Sequence, residues 1–234
     1  MKVDIFVIDF DSTFIELESI EMLFKLALRR NSRRVKLSRL LSELDKQLIQ
    51  KKIDFQTNFE KKIEILKLIT KKQYLEQMGL FLNSKASEDI KKIVDFARKH
   101  KRKIMVFSNS FNEILEPVMK ANHIDVYFSN KLIYNQDGYI IDYDKNNIMA
   151  KNSGKASVIQ FLKRNGFILP DEKIMLIGDG VNDYKVYKNK ICDYFVNFAI
   201  HCDRGLDKFK EPNDKNFIIC RETEDVDNLV KMLE

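Results

Sequence analysis

Tryptophan is missing from this 234-residue chain; cysteine, histidine and proline occur three times each and glycine seven times. Cys192, Cys202 and Cys220 are odd in number and lack any C-x-x-C spacing. They argue against a disulfide framework or a thiolate zinc site and suit a reducing compartment. His100, His123 and His201 share no metal-ligand spacing. No segment approaches the ~18 consecutive apolar residues of a membrane span. The N-terminus has no basic region followed by an apolar stretch and a small-residue cleavage site. A cytoplasmic protein with no membrane span is the expectation. Neither an internal repeat nor a low-complexity linker is visible. Gly178-x-Gly180-x-x-Asp183 lacks the third glycine of a dinucleotide fingerprint. Gly154-Lys155-Ala156 has Met149 where a P-loop needs its first glycine, and Ala where it needs Ser or Thr.

What is present is the composition of a globular domain, 44% hydrophobic and 32% charged, with a net charge of +6. That charge is unevenly placed. Residues 14–82 hold 15 Lys/Arg against 9 Asp/Glu, and the rest of the chain balances at 26 of each. The densest part is Arg29-Arg30-Asn31-Ser32-Arg33-Arg34-Val35-Lys36-Leu37-Ser38-Arg39. Such a run can attract an anionic substrate, nucleic acid or a membrane surface, and a solvated helix face explains it equally.

Val3–Ile8 is a short apolar run that reads as a buried strand, delivering Asp9 and Asp11 at its C-terminal end. Residues 14–82 then read as all-helical, with stretches at 16–30, 37–49, 55–66 and 73–80. After Ser84 strands alternate with helices. Strands are expected at 103–108, 126–128, 173–177, 194–198 and 216–220, with a hairpin at 131–143 around Asn135-Gln136-Asp137-Gly138. Ser110-x-x-Glu113 has the form of a capping box, and Ser153 can cap a helix over 154–164. The pattern predicts an α/β fold: a doubly wound, mostly parallel Rossmann-like sheet with a small all-helical cap inserted after the first strand. The core would be residues 1–13 and 83–234, and the cap residues 14–82.

In a parallel sheet the C-terminal strand ends share one edge, where ligands bind. Asp9 and Asp11, Ser108, and Asp179 with Asn182 and Asp183 all fall at such ends, while Lys155 opens a helix. Close carboxylates repel unless a cation or a shared proton relieves them. Three carboxylates, a hydroxyl and an ammonium suit Mg²⁺ and a phosphate group.

The order Asp9-Phe10-Asp11-Ser12-Thr13, Ser108, Lys155 and Gly178-Asp179-Gly180-Val181-Asn182-Asp183 resembles the haloacid dehalogenase superfamily of phosphohydrolases. The DxDST form with a helical cap resembles its phosphoserine phosphatase branch, over nearly the whole chain; Tyr194–Phe198 and Arg204 resemble the segment that follows the fourth motif. The resemblance implies an Mg²⁺-dependent phosphomonoesterase acting on a small phosphorylated metabolite. Asp9 would be the nucleophile that forms an aspartyl-phosphate, and Asp11 the general acid and base. Asp9, Asp11 (through its backbone carbonyl), Asp179 and Asp183 would serve the metal. Ser108, Asn109, Lys155 and Asn182 would bind phosphate.

The same branch binds the substrate amine with a cap Glu nine residues after the nucleophile, a spacing that Glu18 meets. Its cap Arg for the substrate carboxylate, seven residues beyond an aromatic, is matched from Phe55 by Lys62, which cannot make the bidentate fork. The loop Ser108-Asn109-Ser110 also departs from the family's Ser-Gly-Gly. Phosphoserine is therefore one expected substrate, and a phosphoamino-alcohol such as phosphoethanolamine or phosphocholine is the alternative. A non-catalytic protein using the basic cap for nucleic acid or anionic lipid is the reading of a different class; nucleic acid is not the expected partner.

Overall fold

A computed structural model of the chain describes residues 1–29, 31–68, 71–151 and 153–234, leaving the side chains of residues 49, 55 and 73 undescribed. Arg30 of the basic run lies outside the described residues. At the centre is strand β1 (Ile5–Asp9), every residue of which is buried. Its alternation serves two layers at once, as strands covered on both faces require. Phe6 and Ile8 point into one apolar cluster, while Ile5 and Val7 point into the other.

Helices α1 (Ser19–Leu28), α2 (Arg34–Ile49), α3 (Phe55–Lys67) and α4 (Lys72–Asn83) follow, then α5 (Glu88–Lys99). Strand β2 (Lys103–Phe111) and helix α6 (Asn112–Ala121) lead to β3 (Tyr127–Asn130) and an antiparallel hairpin, β4 (Leu132–Tyr134) and β5 (Ile140–Tyr143). Helix α7 (Gly154–Arg164), β6 (Ile174–Gly178), α8 (Val181–Lys188), β7 (Tyr194–Phe198), β8 (Phe217–Cys220) and α9 (Thr223–Leu233) complete the chain. Six strands form one all-parallel sheet in the order β3-β2-β1-β6-β7-β8. The chain runs outward from β1 through β2 and β3, then returns to β6 on the other flank. The strand order therefore reverses between β1 and β6, the position where an open α/β sheet leaves a crevice.

Helices α5, α6 and α9 cover one face of the sheet and α7 and α8 the other. The four helices of residues 19–83 bury Leu23, Phe24, Leu44, Phe59, Ile63 and Leu75 in the same cluster as Phe10 and Phe111. Backbone touches backbone where α4 meets α6: a Cβ on Gly79 would come 2.5 Å from the carbonyl oxygen of Ile114. Arg29, Arg33, Arg34, Lys36 and Arg39, from the basic run, are exposed around the turn into α2.

Two expected caps are corrected. Ser110 does not open α6; it lies in β2, and the residue preceding α6 is Phe111, which makes no side-chain cap. The reason is the ladder: β2 extends to pair Phe111 with Asn130 of β3, which outweighs one local capping bond. Ser153 precedes α7 as expected but its side chain makes no capping hydrogen bond. Among the histidines, His100 stacks on Phe96 and His201 hydrogen-bonds Ser87.

Candidate active site

The site is built from four strand or helix ends beside the β1–β6 crevice. Asp9 is the last residue of β1, and the chain then turns tightly through Phe10–Phe14, closed by a bond from Ile15 N to Phe10 O. Ser12 in that turn adopts a left-handed φ of 53°, a conformation that costs energy in a non-glycine residue. Its amide donates to Leu17 O and its hydroxyl to Glu18 Oε1 at 2.8 Å, so the strained turn is held from outside.

Lys155, 5% exposed, enters from the first turn of α7. Its Nζ lies 2.6 Å from Asp9 Oδ1 and 2.5 Å from Asp183 Oδ1. Asp9 Oδ1 also accepts from Phe10 N at 2.7 Å. Burying a single ammonium unpaired would be costly, and here two carboxylates compensate it. Burial alone would lower its pKa, yet the charges of Asp183 and Asp9 hold the Lys155 ammonium above its usual range. Burial pushes Asp9 well above the ordinary carboxylate range, and Asp183 and Asp179 add to this while Lys155 opposes it.

Asp11 faces the helical segment. Its Oδ1 accepts the backbone N–H of Ser19, at the start of α1, at 2.6 Å, and Ser108 Oγ lies 3.4 Å from its Oδ2. Desolvation, then the charge of Glu18, raises the Asp11 pKa to about 7, against the lowering effect of Ser19. Ser108 Oγ accepts from Ser110 N, and Ser110 Oγ accepts from Ser19 Oγ at 2.6 Å.

Asp179 follows β6 at Gly178, and α8 begins at Val181. The glycine is needed for space: a Cβ on Gly178 would meet Asp183 Cγ at 2.5 Å. Both Asp183 oxygens are engaged, Oδ1 by Lys155 and Oδ2 by the amide of Gly180 at 3.2 Å. Burial lifts Asp179 to about 6, with Arg204 opposing. Asp9, Asp179 and Asp183 can each offer one oxygen such that the ligand atoms lie within 4.8 Å of one another. An all-carboxylate donor set is hard, and burial together with neighbouring carboxylate charge raises Asp9 and Asp179, a repulsion that a bound cation relieves. Both fit a hard divalent cation.

Asn109 and Asn182 share with Lys155 and Lys185 a cleft between the ends of α7 and α8. Glu18, half-buried just before α1, meets Arg204 Nη2 at 2.5 Å. Lys62 is not brought to this cluster among the described residues: it pairs with Asp45 of α2 at 2.7 Å, its side chain 18% exposed. Three participants have no role in the site assigned from the sequence. Ser19 supplies the amide that fixes Asp11, a role that the start of a helix can signal. The spacing of Ser110 and Glu113 points to a helix cap, whereas Ser110 Oγ accepts from Ser19 Oγ beside Asp11. Arg204, in the segment between β7 and β8, binds Asp179 Oδ2 through Nε at 2.6 Å and is marked by neither periodicity nor turn chemistry.

A family model for haloacid dehalogenase-like hydrolases matches residues 3–189. A phosphoserine phosphatase from Campylobacter jejuni subsp. doylei is 27% identical over 182 residues, 77% of this chain and 81% of that one. The chain spans less than half the length of two longer curated relatives, 41% and 42%. The crystal structure of a phosphoserine phosphohydrolase-like protein from Francisella tularensis superposes with a TM-score of 0.77 at 23% identity, covering 98% of this chain and 99% of that one. A phosphoserine phosphatase structure described as a phospho-aspartyl intermediate analogue gives 0.73 at 17% identity, over the full length of both. These two likenesses establish the fold.

Proposed function

The chain belongs to the haloacid dehalogenase-like hydrolases and is a phosphatase, and from that premise we propose that it hydrolyses a small, amine-bearing phosphomonoester with Mg²⁺ through an aspartyl-phosphate. One observation carries the reading: Lys155, buried, bridges the strand-end Asp9 to Asp183 within reach of Asp179. Residues 14–82 act as a cap over the core formed by 1–13 and 83–234.

Asp9 attacks phosphorus; Lys155 and Phe10 N hold its Oδ1, and its Oδ2 makes no hydrogen bond among the described residues. Covalent catalysis splits one hard displacement into two easier ones. Asp11, with a pKa of about 7, keeps a proton near neutrality for the leaving alcohol. It later takes one from the attacking water. Ser19 N–H fixes the Asp11 carboxyl throughout. Ser108, Asn109, Asn182 and Lys155 bind the phosphoryl oxygens, the ammonium also softening repulsion between Asp9 and a dianionic substrate. Asp183 orients Lys155. Asp9, Asp179 and the backbone carbonyl of Asp11 would hold a divalent cation, which would supply charge neutralisation at the phosphoryl group.

Glu18 receives the substrate amine. Whether a carboxylate accompanies it is a separate matter, and the pairing of Lys62 with Asp45 favours a phosphoamino-alcohol over phosphoserine as the second reading. Phosphate release with Mg²⁺ from phosphoserine, phosphoethanolamine, phosphocholine and an amine-free aryl phosphate tests both. Turnover of all four is expected, with the KM for amine-bearing esters raised in E18Q and that for the aryl phosphate unmoved. No turnover of any phosphoester would end the proposal, and equal KM shifts for all four would remove Glu18 from substrate recognition.

A further inference from the structure

Arg204 reaches from the segment between β7 and β8 across the strand ends. Through Nε it holds Asp179, beside the end of β6, and through Nη2 it holds Glu18, at the start of α1. One guanidinium thus ties an acid of the sheet edge to an acid of the helical segment. Its side chain is 42% exposed, and no other hydrogen bond of its guanidinium is found among the described residues. Glu18 Oε1 accepts in addition from Ser12 Oγ, so the same chain of contacts reaches the strained turn after Asp9.

The guanidinium fork is planar and fixed, so satisfying two carboxylates together constrains both. Each of those carboxylates is also the natural partner of a different incoming cation. A divalent metal that uses Asp179 Oδ2 competes with Nε, and an ammonium that uses Glu18 Oε1 competes with Nη2. We propose that Arg204 is a displaceable counter-ion that couples the two sites: either cation, on binding, loosens one end of the guanidinium, and the other then competes against one contact instead of two. The coupling rests on the assignment of metal to Asp179 and amine to Glu18 made above. By linkage the metal tightens the amine by the same factor that the amine tightens the metal. Arg204 is a positioning residue under this account and touches no reacting atom. Its effect is to favour catalytic assembly when the ester carries an amine, which discriminates against amine-free phosphates without a further contact.

Calorimetric titration of the full chain with Mg²⁺ decides the matter, alone and in the presence of 3-aminopropylphosphonate or propylphosphonate, which differ only in the ammonium. In the wild type the amino compound should tighten Mg²⁺ binding about tenfold more than propylphosphonate does. R204M and R204Q should bind Mg²⁺ about tenfold more tightly than the wild type unaided, as expected for removing a unit charge a few ångströms away. In both variants the two phosphonates should become equivalent. R204K keeps the charge and loses the fork; it should fall between, and it serves as the readout if the neutral variants melt abnormally. Unchanged or weaker Mg²⁺ binding in the variants, or an amine advantage that survives them, overturns the coupling and leaves the functional reading beneath it standing. A wild type that binds no Mg²⁺ under any of these conditions overturns the functional reading beneath it as well.

Discussion

At the scale of single residues, Asp11 has perturbed surroundings that a titration can read. Its carboxyl titrates near 7 when folded, because it is desolvated and faces Glu18, against an ordinary value of 3.8. The folded protein therefore binds that proton more tightly than the unfolded chain. Its contribution to stability declines as pH rises from about 4 to about 7 and is fully lost above. Asn at this position keeps an acceptor for Ser19 N–H and has no proton to lose. In chelator-containing buffer D11N should melt above the wild type at pH 8, with the gap closing toward pH 4; a gap independent of pH would contradict the shift. Residues of this kind were legible in the sequence when a strand end announced them. Asp9, Asp11, Ser108 and Asp179 follow apolar runs, and Lys155 opens a periodic helix. Arg204 is marked in the sequence only by its resemblance to the segment after the fourth motif, without a role, since an irregular segment carries no period and only the folded chain brings it beside Asp179 and Glu18. For Lys62 the spacing pointed to a substrate contact, but Asp45 on the neighbouring helix takes the ammonium.

At the scale of elements, position is set by close approach at two glycines. Gly178 lets Asp183 pack against the end of β6, and Gly79 lets α4 lie directly on α6. A methyl at Gly79 must push against the Ile114 carbonyl and the Pro117 ring, both fixed in a helix. G79A should therefore cost about 1–3 kcal/mol in urea denaturation despite the better helix propensity of alanine. A variant as stable as the wild type would mean that α4 can move away from α6 without loss. Helices and strands themselves were largely readable, because burial imposes periods of 3.6 and 2 on the apolar residues. Their ends were less so. Ser110 obeyed a local capping rule that the β2–β3 ladder then overrode, a contest between near and distant hydrogen bonds that sequence spacing does not record.

Over the whole molecule, the reversal of strand order beside β1 gathers residues from positions 9, 108, 155 and 179 at one edge. Alternating strands and helices after residue 84 implied such an edge, and the helical segment before it was visible as a stretch without strand alternation. What the alternation left open was how that segment meets the sheet. The contacts Ser19–Asp11, Ser12–Glu18 and Glu18–Arg204 show the junction, and they pass through the same residues that would handle the phosphoester. The most direct measurement of the central claim uses D11N, incubated with Mg²⁺ and an aryl phosphate whose leaving group needs no acid, then quenched in acid and mapped by mass spectrometry. Nucleophilic Asp9 predicts one phosphoryl group accumulating on the peptide that carries Asp9. It predicts none there in D9N, with turnover of D9N reduced by roughly 10⁴-fold or more. Continued hydrolysis by D9N, or a phosphoryl group trapped on any other residue, would contradict it.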